Sequence, residues 1–412
     1  MGTAEEHGGN AGKGNSAVEP DLYQSGAGEA DGSFRVNPIG SDEAVVSYRI
    51  VNDHLGEGGA KEKFRRNIEA IRVLKCVENE KRAATADEQE TLAGYVGWGG
   101  LSDAFSEKPE WMKEAQELRN LLTKDEYEAA RATTLDSFYT SPVIIREIYL
   151  KLEDMGFHGG SILEPSMGVG NFFGAMPEDM RAGSRLFGVE KDGVSGRIAR
   201  LLYPEVQIRI AGFEETQFPR ESFDVVVGNI PFGDFRLYDR RFAKENFLIH
   251  DYFIARSLEE VHPRGIVALI TSAGTMDKAD ESARRYYAVR AELLGAVRLP
   301  NNAFKANAGT DVTADILFFQ KKAGISRDGM IRDNSLSEVP EWIHTTELGN
   351  GIRINSYFAK NPEMMLGEMA LVSGRFGMTQ TLIPSENVEL GELLQSALAR
   401  VEGRIIGDVL DG

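Results

Sequence analysis

Between residues 137 and 322, short apolar runs alternate with amphipathic stretches, and this alternation limits the fold more than any other feature of the chain. Candidate strands are Ser161–Glu164, Arg185–Glu190, Val206–Ile210, Phe223–Gly228, Gly265–Thr271, Gly295–Leu299 and Val312–Gln320. Helical spacing marks Pro142–Met155 ahead of the first strand, then 170–180, 192–203, 247–261 and 280–292. Strands alternating with helices build βαβ units and an α/β fold, a mostly parallel sheet covered on both faces. Ligands of such sheets lie at the carboxyl ends of the strands. The residues that follow each strand are therefore where chemistry is sought.

The flanks read differently. Residues 1–42 are rich in Gly, Ser, Ala and acids, and predict a disordered tail or linker because they hold too little apolar surface to offset ordering entropy. Residues 43–135 predict a small helical region, with Phe64, Ile68, Ile71, Leu74 and Val77 at helical spacing and a second helical stretch over 111–131. The glycine-rich Tyr95–Leu101 turn reads as a structural corner, since no P-loop lysine follows it. Residues 136–322 form the main domain, and 323–412 read as a C-terminal appendage or the start of a further domain.

Net charge is −18, which argues against a protein that coats nucleic acid but allows a local basic cleft. The single cysteine, Cys76, excludes an internal disulfide framework and reads as an inert core thiol in a cytoplasmic protein. The six histidines are scattered, with no H-E-x-x-H spacing, so no metal is expected. No apolar run has the length of a membrane span.

Three strand ends carry chemistry. Ile162–Phe172 is a buried strand ending in Glu164-Pro165, then a Gly168-x-Gly170 turn that opens a helix. Glycines let backbone approach a ligand, and an acid in place of a phosphate loop favours a cationic one. Glu190 closes the next strand, where an acid suits ribose hydroxyls. Phe223–Gly228 then runs directly into Asn229-Ile230-Pro231-Phe232. The exocyclic amine of a base is a poor nucleophile because its lone pair is delocalised into the ring. An Asn side-chain carbonyl and a backbone carbonyl can accept its two hydrogens and favour the charge that develops on nitrogen. Phe232 offers a face for an extruded base.

Asn229–Phe232 resembles the N/D-P-P-Y/F/W motif of amino-methyltransferases, Phe138-Tyr139-Thr140-Ser141-Pro142 resembles their preceding cofactor motif, and Glu164–Phe172 resembles their first motif. That order is similar to the gamma group of N6-adenine DNA methyltransferases. The likeness is closer to the methyltransferase portion of methylase–helicase proteins of phages and conjugative elements, through Gly228–Phe235, Asn246–Phe253, Arg298–Asn301 and Lys305–Thr310. It covers residues 64–370 and includes the Tyr95–Leu101 turn. The resemblance implies a Rossmann-like class I fold, with a seven-stranded sheet whose last strand is antiparallel, preceded by a small helical region. It implies S-adenosyl-L-methionine as cofactor, held by Tyr139, Thr140, Pro142, Glu164, Pro165, Gly168, Gly170, Glu190 and Phe213. It implies DNA methylation at adenine N6, in a restriction-modification or antirestriction setting.

Ile230 replaces the usual first proline of the motif, and Gly212 stands where many relatives carry an acid that Glu214 is placed to replace. No Gly-x-x-x-x-Gly-Lys-Ser/Thr segment is present, so a helicase would be a further domain or a partner. Arg236, Arg240 and Arg241 are the expected phosphate contacts, and Lys305 is expected to touch the extruded base or its neighbours; His250 and Asp251 read as structural. Competing readings are methylation of RNA adenine or of a protein glutamine amide, and a non-catalytic DNA-binding module.

Overall fold

The computed structural model describes residues 46–134, 139–304, 312–323, 336, 338–374, 377–386 and 388–405. The expected tail over 1–42, Phe138 of the cofactor motif and the expected nucleic-acid contact Lys305 lie outside the described residues.

Helices α1 (Ala60–Glu80), α2 (Ala86–Ala93), α3 (Met112–Leu121) and α4 (Lys124–Ala132) come first. Phe64, Ile68, Ile71, Leu74 and Val77 of α1 are buried, as their spacing predicts. Cys76 falls between two of these inward positions and is exposed, not a core thiol. The stretch 111–131 is two helices, because Thr123 and Glu126 form a capping box that starts α4. Trp98 of the glycine-rich turn is buried against Phe64 and Phe105 at 6.1 and 5.3 Å between ring centroids.

The main sheet follows. Its elements are α5 (Pro142–Asp154), β1 (Ser161–Glu164), α6 (Asn171–Gly174), α7 (Glu178–Ala182), β2 (Arg185–Glu190), α8 (Gly193–Leu202), β3 (Gln207–Ile210) and β4 (Phe223–Asn229). Then come α9 (Ile249–Glu260), β5 (Val261–Ser272), α10 (Gly274–Asp277), α11 (Ser282–Arg290), β6 (Ala291–Leu299) and β7 (Ala314–Lys321). The strands lie in the order β3-β2-β1-β4-β5-β7-β6. Pairing is parallel from β3 to β5, while β7 runs antiparallel between β5 and β6. Val225–Val227 and Ile266–Ile270 are fully buried, as befits central strands covered on both faces. Strand order reverses between β1 and β4, so the crevice above them is the natural ligand site.

The described residues from 46 to 405 fall in one compact unit, so the expected boundaries at 135/136 and 322/323 do not separate compact parts. Glu126 of α4 is clamped by Lys75 at 2.8 Å and by Arg197 of α8 at 2.6 Å. Burial alone would raise its carboxyl, but these cations and the Thr123 backbone hold it down near 2. Nor are the described residues after 337 an appendage. They contribute β8 (Thr345–Gly349), β9 (Ile352–Asn355), α12 (Ser356–Lys360), β10 (Gly367–Gly374), β11 (Gly377–Pro384) and α13 (Leu390–Leu398). Buried Arg284 donates to the Ile343 carbonyl at 2.7 Å, and Ile405 N donates to the Met155 carbonyl at 2.7 Å. Fully buried Arg298 grips Asp315 and Asp277, and Asp277 also accepts from Asn355 N at 2.8 Å. The helical rhythm stops after Lys322, which is why the sequence suggested a break; the packing does not stop. Among the described residues no helix is long and apolar enough to cross a membrane.

Candidate active site

Above β1 and β4 lies a cavity of about 440 Å³, within the usual size of a small-molecule site. Glu164, Pro165 and Gly168 line it from β1 and its loop, Glu190 from β2, and Asn229, Ile230 and Pro231 from β4. Tyr139, Thr140, Phe213 and Glu214 complete the sequence-expected set that meets there.

Three expected residues are not on the wall. Pro142 is buried as the first residue of α5, behind its N-cap Ser141, so it starts the helix. Gly170 has φ +87, and a Cβ there would lie 2.7 Å from the Tyr203 ring, so this glycine serves loop packing rather than ligand approach. We expect Gly170→Ala to cost about 1–3 kcal/mol in urea unfolding, from backbone strain and the clash together. Phe232 is half-buried and outside the cavity wall.

The acids differ in their attachments. Glu190 Oε2 accepts from Gly168 N and Oε1 from Asp192 N, both at 2.7 Å, so its carboxylate is fixed in place. Burial, then the charge of Asp192, raises it to about 7. Glu164 is wholly buried, and its Oε2 has no hydrogen-bond partner. Burial and then Glu190 push its carboxyl well above the ordinary 4.5. A buried acceptor aimed into a cavity without a donor is costly unless a ligand supplies one. A cationic ligand with N–H donors meets that need, so the site fits the ammonium of S-adenosyl-L-methionine.

Asn229 ends β4, and β1 with Glu164 is the adjacent strand. Asn229 Nδ2 donates to Thr140 Oγ1 at 3.1 Å, which orients the amide, and Ser166 Oγ donates to the Asn229 carbonyl at 2.8 Å. Ile230 N donates to Ile270 O at 3.1 Å, holding the loop to β5. A Cβ built on Gly212 would lie 2.5 Å from Glu214 Oε1: the Glu214 carboxylate occupies the space a side chain at 212 would use. Phe213 has the Arg256 guanidinium 4.0 Å from its ring centroid.

Of the expected phosphate contacts, Arg240 is exposed and Arg236 spends only Nε, on the Asn246 carbonyl at 3.0 Å. Arg241 is different. Its guanidinium is held by Asp239 at 2.8 Å and lies 3.6 Å from buried Glu260, which also binds Arg256, the cation over Phe213. Arg241 braces the cavity wall instead of standing free for phosphate. Asp251 is buried and bound by Lys278 and by the Tyr287 hydroxyl at 3.1 Å, as a structural residue should be.

Sequence comparison gives this geometry its family. The N-6 DNA Methylase family profile matches residues 122–335, slightly more than half of the chain. The chain belongs to the N-6 DNA methylase family. It is 31% identical over 295 residues to defense against restriction protein B of Escherichia phage P1, covering 69% of this chain but only 11% of the phage protein. It is 28% identical over 180 residues to the rRNA N(6)-adenosine-methyltransferase metl-5 of Caenorhabditis elegans, covering 41% of this chain and 79% of that protein. The type I restriction-modification system methyltransferase subunit from Streptococcus thermophilus overlays 65% of this chain and 80% of its own, with a TM-score of 0.38 at 14% identity.

This N-6 DNA methylase also uses residues that the motifs did not flag. Ala129, Ala132 and Thr133 of α4 and its end close the cavity from the N-terminal helices. Tyr95 and Gly97 of the glycine-rich turn line it too, so that corner is part of the wall. A Cβ on Gly97 would lie 3.0 Å from the Tyr139 ring, and buried Asn67 holds the turn by donating to the Gly97 carbonyl at 2.5 Å and accepting from Val96 N at 2.9 Å. The glycine was visible in the sequence; its partner Tyr139, some forty residues on, was not.

Proposed function

We propose that this chain transfers a methyl group from S-adenosyl-L-methionine to the N6 amine of adenine in DNA. One observation carries the reading: an acid with a partnerless oxygen and the Asn-x-Pro-Phe amide end adjacent parallel strands and open into one cavity. Neighbouring strands stand about 4.8 Å apart, so methyl donor and acceptor amine would meet between those ends.

Glu164 takes the ammonium and Glu190 the ribose hydroxyls, with Phe213 and Glu214 toward the adenine of the cofactor. The cofactor, when bound, supplies a methyl on a sulfonium, which departs as a neutral thioether. The Asn229 side-chain carbonyl and the Ile230 carbonyl accept the two N6 hydrogens, which draws the nitrogen toward tetrahedral geometry and stabilises its developing positive charge. Only a backbone carbonyl is needed at 230, so isoleucine in place of proline keeps the function. The nitrogen then forms its bond to the methyl carbon, and one of its protons passes to water. Phe232 stacks on the extruded base. Pro142 and Gly170 support the cofactor loop from behind, and Arg236 and Arg240 engage phosphate.

The chain spans about a tenth of the phage relative, and we assign strand opening to a further domain or a partner protein. We place the reaction in the cytoplasm, where the exposed Cys76 thiol stays reduced. The test is mass spectrometry of nucleosides from DNA incubated with the chain and methyl-labelled cofactor. Labelled N6-methyladenine is the expected product. Label in RNA adenosine alone would move the substrate to RNA, the substrate named for the nematode relative; label in protein glutamine, or none, would sink the reading.

A further inference from the structure

After Asn229–Phe232 the chain runs out along the cavity mouth with a two-residue period. Phe235, itself partly exposed, and Leu237 line the cavity, while Arg236, Tyr238 and Arg240 face solvent, and Tyr238 keeps 81% of its surface in solvent. Such exposure of an aromatic ring is not a sign of a loose segment here. The Phe235 carbonyl accepts from Ile249 N at 2.9 Å, and Arg236 Nε is bonded to the Asn246 carbonyl. On the other side, buried Asp239 accepts from the Tyr252 hydroxyl at 2.8 Å and is bonded by Arg241. Positions 235, 236 and 239 are held, and Tyr238 is presented between them.

The charge around it is selective. In a chain of net charge −18, Asp234 is the one exposed acid between Pro231 and Lys244, because Asp239 is committed inward. An aromatic ring with an arginine two residues away on each side matches a nucleobase between backbone phosphates.

Resting on the function proposed above, we propose that Tyr238 stacks into the gap that the target adenine leaves in duplex DNA, with Arg236 and Arg240 on the flanking phosphates. Extruding a base costs stacking and pairing, and an inserted ring returns part of that stacking. A single strand has no such gap to fill. The role of Tyr238 is therefore specific to paired substrate, which separates it from general affinity.

The test compares Tyr238→Ala and Tyr238→Phe with wild type on one oligonucleotide. The target adenine is presented paired with thymine, or unpaired in the single strand. We expect the ratio of paired to unpaired kcat/KM to fall about 10–100-fold in Tyr238→Ala and to be kept in Tyr238→Phe. With 2-aminopurine at the target, the fluorescence rise on binding duplex should be lost in Tyr238→Ala. Equal losses on both substrates, an unchanged ratio, or a change in self-association with no change in ratio would each overturn the proposal. A wild-type chain that methylates neither substrate would instead overturn the function it rests on.

Discussion

Replacing Asn229 with alanine should lower turnover on DNA by about 10²–10³-fold, the size of effect seen when one preorganised group facing developing charge is removed. Cofactor affinity should stay within about twofold, because the proposed partners of Asn229 gain most in the transition state. The amide is fixed by Thr140, and its backbone carbonyl by Ser166. Single-turnover methylation with calorimetry on the same preparation separates the two readouts. Turnover retained in the variant would reduce the motif to a turn at the end of β4.

The second large effect lies at Glu164. Loss of a charge-assisted contact to an ammonium costs about 1.5–3 kcal/mol, so Glu164→Ala should weaken cofactor binding about 10–100-fold. The pH behaviour distinguishes this from a packing defect. Burial, then Glu190, raises the Glu164 carboxyl above its ordinary 4.5, so the cofactor-free fold favours the protonated form. That contribution to stability is fully present below 4.5 and is lost as pH rises through the folded value. Glu190, raised to about 7, loses its own contribution between 4.5 and 7. Without cofactor, Glu164→Gln should therefore gain melting temperature relative to wild type as pH rises above 4.5. Binding the cation should restore the carboxylate and release a proton, visible as a calorimetric enthalpy that varies with buffer ionisation heat. A binding enthalpy independent of buffer, with an unchanged Kd in Glu164→Ala, would remove Glu164 from the ammonium site.

Much of the sheet was legible because parallel central strands are short, continuous apolar runs. Arg185–Glu190 and Ser161–Glu164 match residue for residue. The expected helix over 170–180 is two short helices, α6 and α7, because Pro177 N-caps the second and interrupts the ladder. The acids and the amide at strand ends were legible for a similar reason, since a polar residue closing a buried run needs a purpose. What stayed hidden depends on distant contacts. Ala129 and Thr133 sit on a helix whose pattern reports only its amphipathicity, and nothing local shows that its end covers a cavity. Arg241 looked like Arg240 in sequence, and only the fold brings Glu260 to it. Residues 338–405 lacked strand–helix alternation, yet their small hairpins and α13 pack on the same body.

That last packing has a consequence for the order in which the molecule can be made. The amide of Ile405 reaches the carbonyl of Met155, and the Ile343 carbonyl receives Arg284. Every strand of the sheet has been synthesised once Lys321 is added, but these closures lie up to residue 405. At about 5–20 residues per second, the sheet waits roughly 4–17 s for them. During that interval Arg284 lacks one of its acceptors, the Ile343 carbonyl, and β6 lacks the bond from Leu366 N to the Arg298 carbonyl. The nascent chain thus passes through a stage in which the sheet is complete but the C-terminal segment that packs on it is not, and a contact spanning some 250 residues closes last.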